Sequence, residues 1–150
     1  LTMPLLETDL LYALLDDHDR HHQIAEKLFE RIRRFEVKPV PQVSGLSLLE
    51  LEVILKSGLV EVRGRTASDH DIAEYFKKVC EALRLYGIET NPLTCESIVL
   101  AASMRFNYNL SYYDSHYAAQ AQALDQHIIS TDRVYDRVRE IKRIKPESLL

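Results

Sequence analysis

The sequence predicts an α/β fold: a three-layer α/β/α sandwich around a central parallel sheet of four to five short strands. Short apolar runs alternate with amphipathic stretches at helical spacing, the pattern of strand–helix units that build a parallel sheet. Start and stop residues punctuate the helical stretches, with Ser68 or Asp69 before one, Gly87 after it, and Ser57-Gly58 after another. Acidic residues stand directly after apolar runs. In parallel α/β sheets ligands gather beyond the carboxyl ends of the strands, so these are the positions where chemistry is expected.

In chain order, residues 3–6 predict a first strand and 8–15 a first helix, its Leu10, Leu11, Leu14 and Leu15 at helical spacing. Residues 16–20 are a polar break, with Asp19 or His21 near the next helix start. Residues 23–36 are amphipathic, with Ile24, Leu28, Ile32 and Phe35 on one face. Residues 37–43 predict a second strand or extended segment, weakened by Pro39 and Pro41. A helix over 47–56 follows, and then 59–69, the most loop-like stretch of the chain. The long helix to Tyr86 turns Ile72, Phe76, Val79, Leu83 and Leu85 mostly inward. Residues 88–93 predict a weak strand, and a helix runs from Thr94 or Cys95 to Phe106. Residues 110–138 then read as a turn begun by Ser111, a helix opened by Asp114, the β-branched strand His127-Ile128-Ile129-Ser130, and a short helix after Asp132 running to about Glu140. Residues 141–144 make a last, edge-like strand ended by Pro146.

A chain of 150 residues with 46% hydrophobic and 28% charged residues is expected to form a single domain, residues 1–150, without disulfide or metal staples. Its apolar runs are too short to span a bilayer. No charged segment followed by an apolar core opens it, so no signal peptide is expected. Cys80 and Cys95 are isolated, without metal-ligand spacing, and read as reduced thiols of a cytoplasmic protein. The net charge of −4 argues against a nucleic-acid binder. Discounting four metal-neutralised carboxylates, however, would leave 19 acidic against 19 basic residues.

Glu7, Glu50, Asp114 and Asp132 are the candidate site. PLLETDLLYALLDDHDRHH, SLLELEVILKSG, LSYYDSHYAAQAQ and ISTDRVYDRV, in that order, resemble the four acidic segments of the PIN-domain family. The likeness is to the VapC-like toxins of bacterial and archaeal toxin–antitoxin pairs, and it covers nearly the whole chain. It departs in one place: the family usually has Asp where Glu7 stands, and Asn or Ser where Asp9 stands. The resemblance implies a metal-dependent endoribonuclease using Mg²⁺ or Mn²⁺, with Glu7, Asp114 and Asp132 as metal ligands and Glu50 completing the catalytic set. Asp9 is the alternative first ligand. Thr8, Asp9 and Thr131 would orient substrate or water. It further implies RNA as substrate, an antitoxin partner and a homodimer.

The chemistry is coherent. Clustered carboxylates raise one another's pKa, and a hard divalent cation with oxygen ligands relieves this while activating water at a phosphodiester. Each residue also has a plainer reading. An Asp at a helix start is usually an N-cap, which suits Asp9, Asp114 and Asp132 singly. Glu50, between Leu49 and Leu51, reads as a solvated helix residue. Lys56, Arg63 and Arg65 are weaker candidates for phosphate contacts. His18, His21 and His22 lack zinc spacing and read as surface residues, His116 as structural, and Asp136 as a partner of Arg133 or Arg139. Tyr112 and Tyr113 suit core packing better than base stacking. A haloacid-type phosphatase would need a nucleophilic Asp where Glu7 stands. The non-enzymatic alternative is a catalytically degenerate PIN-fold binding or scaffold module.

Overall fold

The computed structural model describes residues 3–150. Its elements in order are β1 (Leu5–Leu6), α1 (Thr8–Leu15), α2 (His22–Arg33), β2 (Gln42–Ser44), α3 (Gly45–Ser57), β3 (Glu61–Val62), β4 (Arg65–Thr66), α4 (Asp69–Tyr86), β5 (Thr90–Asn91), α5 (Cys95–Tyr108), α6 (Tyr112–Ala123), β6 (His127–Ile129) and β7 (Lys142–Ile144). Single 3-10 turns occupy Arg133–Arg137 and Pro146–Leu149.

Five strands form one parallel sheet in the order β5-β2-β1-β6-β7. The chain starts at the centre, builds outward through β2 and β5, and then returns to lay β6 on the other side of β1. The direction of winding therefore reverses between β1 and β6, and at such a switch point a crevice opens beyond the strand ends.

Side chains on a strand alternate between faces, and here each face has its own core. Leu6, Val43 and Ile129 pack against α1 and α2 with Leu51 and Leu83, while Leu5 and Ile128 pack against α5 and α6 with Tyr117 and Tyr135. These five strand residues are all fully buried, as expected of a parallel sheet covered by helices on both sides. Among the described residues no helix is long and apolar enough to cross a membrane.

Several local expectations change. The stretch 59–69 contains an antiparallel hairpin, β3 paired with β4, whose turn residues Arg63 and Gly64 have φ of 55° and 74°. Two successive positive φ values match the right-handed twist of a tight hairpin. Phe35 is 62% exposed, because α2 stops at Arg33 and Phe35 itself takes φ 59°, which swings it off the buried stripe. Leu85 is also exposed: it lies two residues beyond the buried Leu83, on the far side of α4. The second strand starts at Gln42 rather than Val37. The helical turn after Asp132 ends at Arg137 rather than near Glu140.

The ends of α3 and α4 offer a paired test. Gly58 and Gly87 both sit in the left-handed region, but a Cβ on Gly58 would meet Thr66 Oγ1 at 2.9 Å, while one on Gly87 meets nothing within 4 Å. An L residue in this region costs about 1–2 kcal/mol. Urea denaturation should show both Gly→Ala variants destabilised, with Gly58→Ala the worse. Equal losses would mean that Thr66 moves aside freely.

Candidate active site

The turns that follow β1 and β6 are tied together by hydrogen bonds to two carboxylates. Asp9 Oδ2 accepts from the Thr131 backbone N–H at 2.8 Å, and also from the Thr131 hydroxyl. Ser130 Oγ lies 3.2 Å from Asp9 Oδ2 and 3.3 Å from Glu7 Oε2, with one hydrogen to serve both. The same oxygen accepts from the Asp132 N–H at 3.0 Å. Glu7 Oε2 also accepts from Asp9 N–H at 3.2 Å, so Glu7 itself caps α1.

The other acids reach the same cleft from two helices. Asp114, in the first turn of α6, accepts at Oδ1 from the Tyr135 hydroxyl at 3.2 Å. Glu50, in the middle of α3, accepts at Oε2 from the Tyr117 hydroxyl at 2.8 Å. Thr8 donates to Ser47 Oγ at 2.7 Å, fixing α1 against α3. Glu7, Asp9, Glu50, Asp114 and Asp132 thus line one cleft of about 380 Å³, joined by Asp19 and His21 from the loop before α2. A larger concavity of about 560 Å³ lies between α4 and β5, but Leu48, Leu83 and Ile88 dominate it and it gathers no comparable set of acids.

Burial of Glu7, then the charge of Asp9 beside it, raise its pKa well above the ordinary carboxylate value, and Asp114 adds to this. Burial also raises Glu50, against the lowering effect of the Tyr117 hydrogen bond. Burial, followed by the charges of Glu7, Asp114 and Asp9, pushes Tyr135 far up, so its hydroxyl stays a donor to Asp114.

The plain N-cap reading fits only one of the three Asp residues. Glu7 caps α1 and Ser111 caps α6, leaving Asp9 and Asp114 for other work. Asp132 does cap its 3-10 turn, accepting from Val134 N–H at 2.9 Å, and is otherwise exposed. Lys56 pairs with Asp69 and Arg65 with Asp71, while Arg63 is exposed at the hairpin turn. Asp136 pairs with neither Arg133 nor Arg139. Arg143 reaches it from β7 with two nitrogens, at 2.9 and 3.0 Å, and donates to the Ser130 carbonyl at 3.2 Å. His116 is buried against Tyr112, away from the cleft. Tyr112 itself is 62% exposed, with the Arg105 guanidinium over its ring.

Sequence reasoning missed Ser130, Tyr117 and Tyr135. Tyr117 follows Asp114 by one helical turn, a spacing that puts both on the same face. Ser130 lies directly beyond its strand, as an acid at such a position would. No local pattern announces Tyr135.

A family model for the PIN domain matches residues 5–141. The chain belongs to the PIN-domain family. Several solved structures superpose over almost its whole length. FitAcB from Neisseria gonorrhoeae does so with TM-score 0.67 at 13% identity, covering 97% of this chain and 99% of that one. VapBC2 from Rickettsia felis, bound to a DNA fragment from their promoter, gives 0.67 at 12% identity over 95% and 97%. A toxin-antitoxin complex from Klebsiella pneumoniae gives 0.64 at 17% identity over 95% and 97%. At these identities the likeness is one of fold. No curated protein matches the chain.

Apart from the His21 imidazole, the donors lining this PIN cleft are oxygens, the chemistry that hard divalent cations prefer. Asp9 Oδ1 is buried without a partner, an uncompensated oxygen that a cation would satisfy. Among the described residues, however, no three His, Cys, Asp or Glu side chains already converge closely enough to hold an ion, so ligand side chains must turn to do so.

A pH test follows from Glu7. Its folded-state pKa is raised, so the folded chain keeps a proton that the unfolded chain releases near the ordinary value of 4.5. Stability from this group is full below that pH and falls as pH rises toward the folded value. Metal-free protein should therefore lose thermal stability on going above pH 4.5, and Glu7→Gln should flatten this slope. An equally steep slope in the variant would assign it to other groups.

Proposed function

We propose that this PIN-domain protein is a divalent-metal-dependent endoribonuclease, acting as the toxin of a toxin–antitoxin pair. The observation that carries the reading is the gathering of Glu7, Asp9, Glu50, Asp114 and Asp132 around one cleft at the winding switch between β1 and β6. The fold likeness to a toxin-antitoxin complex and to VapBC2 supports the biological context.

Asp114 and Glu7 are the primary ligands in this proposal, with Asp132 and Glu50 binding a second ion, holding metal-bound waters or serving as base. Glu7 is preferred to Asp9 because it stands at the position of the family's first acidic residue; Asp9, whose Oδ2 is held by Thr131 and Ser130 while its Oδ1 is unpartnered, is the alternative. A bound Mg²⁺ or Mn²⁺ would lower the pKa of water and offset charge developing on the phosphodiester. The residues around it hold the ligands in place. Tyr135 aims Asp114, Tyr117 aims Glu50, and Thr131 with Ser130 keeps the β6 turn against Asp9. Asp132, the most exposed acid, is free to accept a proton from water. Hydrolysis adds that water's oxygen to phosphorus, breaks one P–O ester bond and returns a proton to the leaving oxygen. An antitoxin covering the cleft and a homodimeric assembly complete the proposal.

A second reading has its own observation. Glu7 is turned inward to cap its helix and Asp9 is held by several donors, as suits a PIN fold kept for binding alone. Cleavage of a mixed-sequence single-stranded RNA reporter in Mn²⁺ or Mg²⁺ separates the two. The nuclease reading expects cleavage that EDTA abolishes and that Asp114→Asn lowers by at least a hundredfold, with Mn²⁺ binding measurable by calorimetry. Neither cleavage nor Mn²⁺ binding would leave the scaffold.

Tyr135→Phe is a finer probe. It removes one net hydrogen bond of about 1 kcal/mol from a packed ring. It should lower kcat several-fold while leaving RNA affinity unchanged. An unchanged kcat would remove Tyr135 from the site.

A further inference from the structure

Cations flank the acidic cleft on two sides, and they differ in how they are paired. On the hairpin side Lys56 lies 2.8 Å from Asp69 and Arg65 lies 3.2 Å from Asp71, so each is offset by a carboxylate of α4, and Arg63 alone is exposed without an ion pair among the described residues. On the other side, residues 133–145 hold six Lys or Arg against two Asp or Glu, in a chain whose net charge is −4. Both of those acids are already engaged, Asp136 by Arg143 and Glu140 by the Tyr108 hydroxyl. Arg133 and Lys145 are exposed, and neither forms an ion pair among the described residues.

Topology puts this pair at the rim. Arg133 directly follows Asp132 beyond the carboxyl end of β6, and Lys145 directly follows the carboxyl end of β7, the parallel neighbour of β6. They are close in space as well: Asp136, held low first by its hydrogen bond from Arg143, also feels the charges of Lys145 and Arg133. Lys142, by contrast, begins β7 at the far end of the sheet, and Arg139 lies beside Tyr108.

We propose that single-stranded RNA crosses the rim on the β6–β7 side, with Arg133 and Lys145 each contacting a backbone phosphate next to the acidic cleft. The proposal rests on the ribonuclease reading and deepens it. A polyanion approaching Glu7, Asp9, Asp19, Glu50, Asp114 and Asp132 needs cations beside its path, and affinity comes from phosphates neutralised by free charges. Lys56 and Arg65 would first have to give up their carboxylates; Arg133 and Lys145 have none to give up.

The test is fluorescence anisotropy with a labelled single-stranded RNA, using full-length Asp114→Asn protein so that the probe is not cut. Adding Arg133→Gln and Lys145→Gln should weaken binding about 25-fold at 0.1 M salt and make the salt slope shallower by about 1.4, at roughly 0.7 per phosphate contact on a single strand. Arg133→Lys should retain affinity, and its thermal midpoint serves as the folding control. Unchanged affinity and slope, or a matching loss from Lys56→Gln with Arg65→Gln, would overturn the path. Should wild-type protein cleave RNA while the pair has no effect, only the path falls. Should the pair govern binding while wild-type protein never cleaves, the path stands and the nuclease reading falls. Absence of RNA binding in every variant would remove both.

Discussion

The structure turns on the seam between β1 and β6, where two chain segments more than a hundred residues apart are tied by hydrogen bonds to Asp9 and Glu7. Two carboxylates this close, one of them buried, repel each other and lose hydration. Donors from Ser130 and Thr131 offset part of that cost. Hydrogen bonds to charged groups are about twice as strong as neutral ones, so these bonds reinforce the pairing that joins the two halves of the sheet. The placement of Asp132 follows from the seam. Asp132 is aimed by the same Ser130 hydroxyl, and the backbone of that turn is gripped from behind by Arg143.

Packing and chemistry are joined through two tyrosines. Tyr117 and Tyr135 are fully buried in the core between the sheet and α5–α6, yet each carries its hydroxyl to an acid of the cleft. An aromatic ring fixed on all sides has little rotational freedom, so its polar tip becomes a stiff locator for a flexible carboxylate. This allows Glu50, on a helix from the opposite layer, to stand in register with Asp114 on α6. Core residues and site residues are therefore not separate sets in this protein. A mutation that loosens the packing around Tyr117 acts on Glu50 without touching it.

Charge is distributed with the same economy. The cleft concentrates acids, the hairpin side balances Lys56 and Arg65 against α4, and the stretch after Asp132 keeps free positive charge. Net charge alone concealed this, because a modest negative total averages over an acidic crevice and a basic flank. For a polyanionic partner the local field matters more than the sum, since charges beyond about 8–10 Å are screened at physiological salt.

What the sequence determined by itself was the alternation of elements, and with it the parallel sheet. Leu5-Leu6 and His127-Ile128-Ile129 are apolar runs with an acidic or hydroxyl turn directly behind them, and helix caps such as Ser68, Thr94 and Ser111 declare themselves in a few residues. Glu7, Asp114 and Asp132 stood out as candidates because each lies at the start of such a turn or helix, whereas Glu50, in the middle of α3, was singled out only by the family resemblance. Tertiary structure decided what depends on neighbours distant in the chain: that Glu7 rather than Asp9 caps α1, that Ser130 bridges two carboxylates, and that Arg143 takes Asp136. It also decided where chains of periodic residues fail, as at Phe35, whose positive φ no spacing rule predicts. A local pattern encodes how a segment lies on its own axis. Which hydroxyl meets which acid depends on the docking of whole layers, and that is set by the summed packing of both cores.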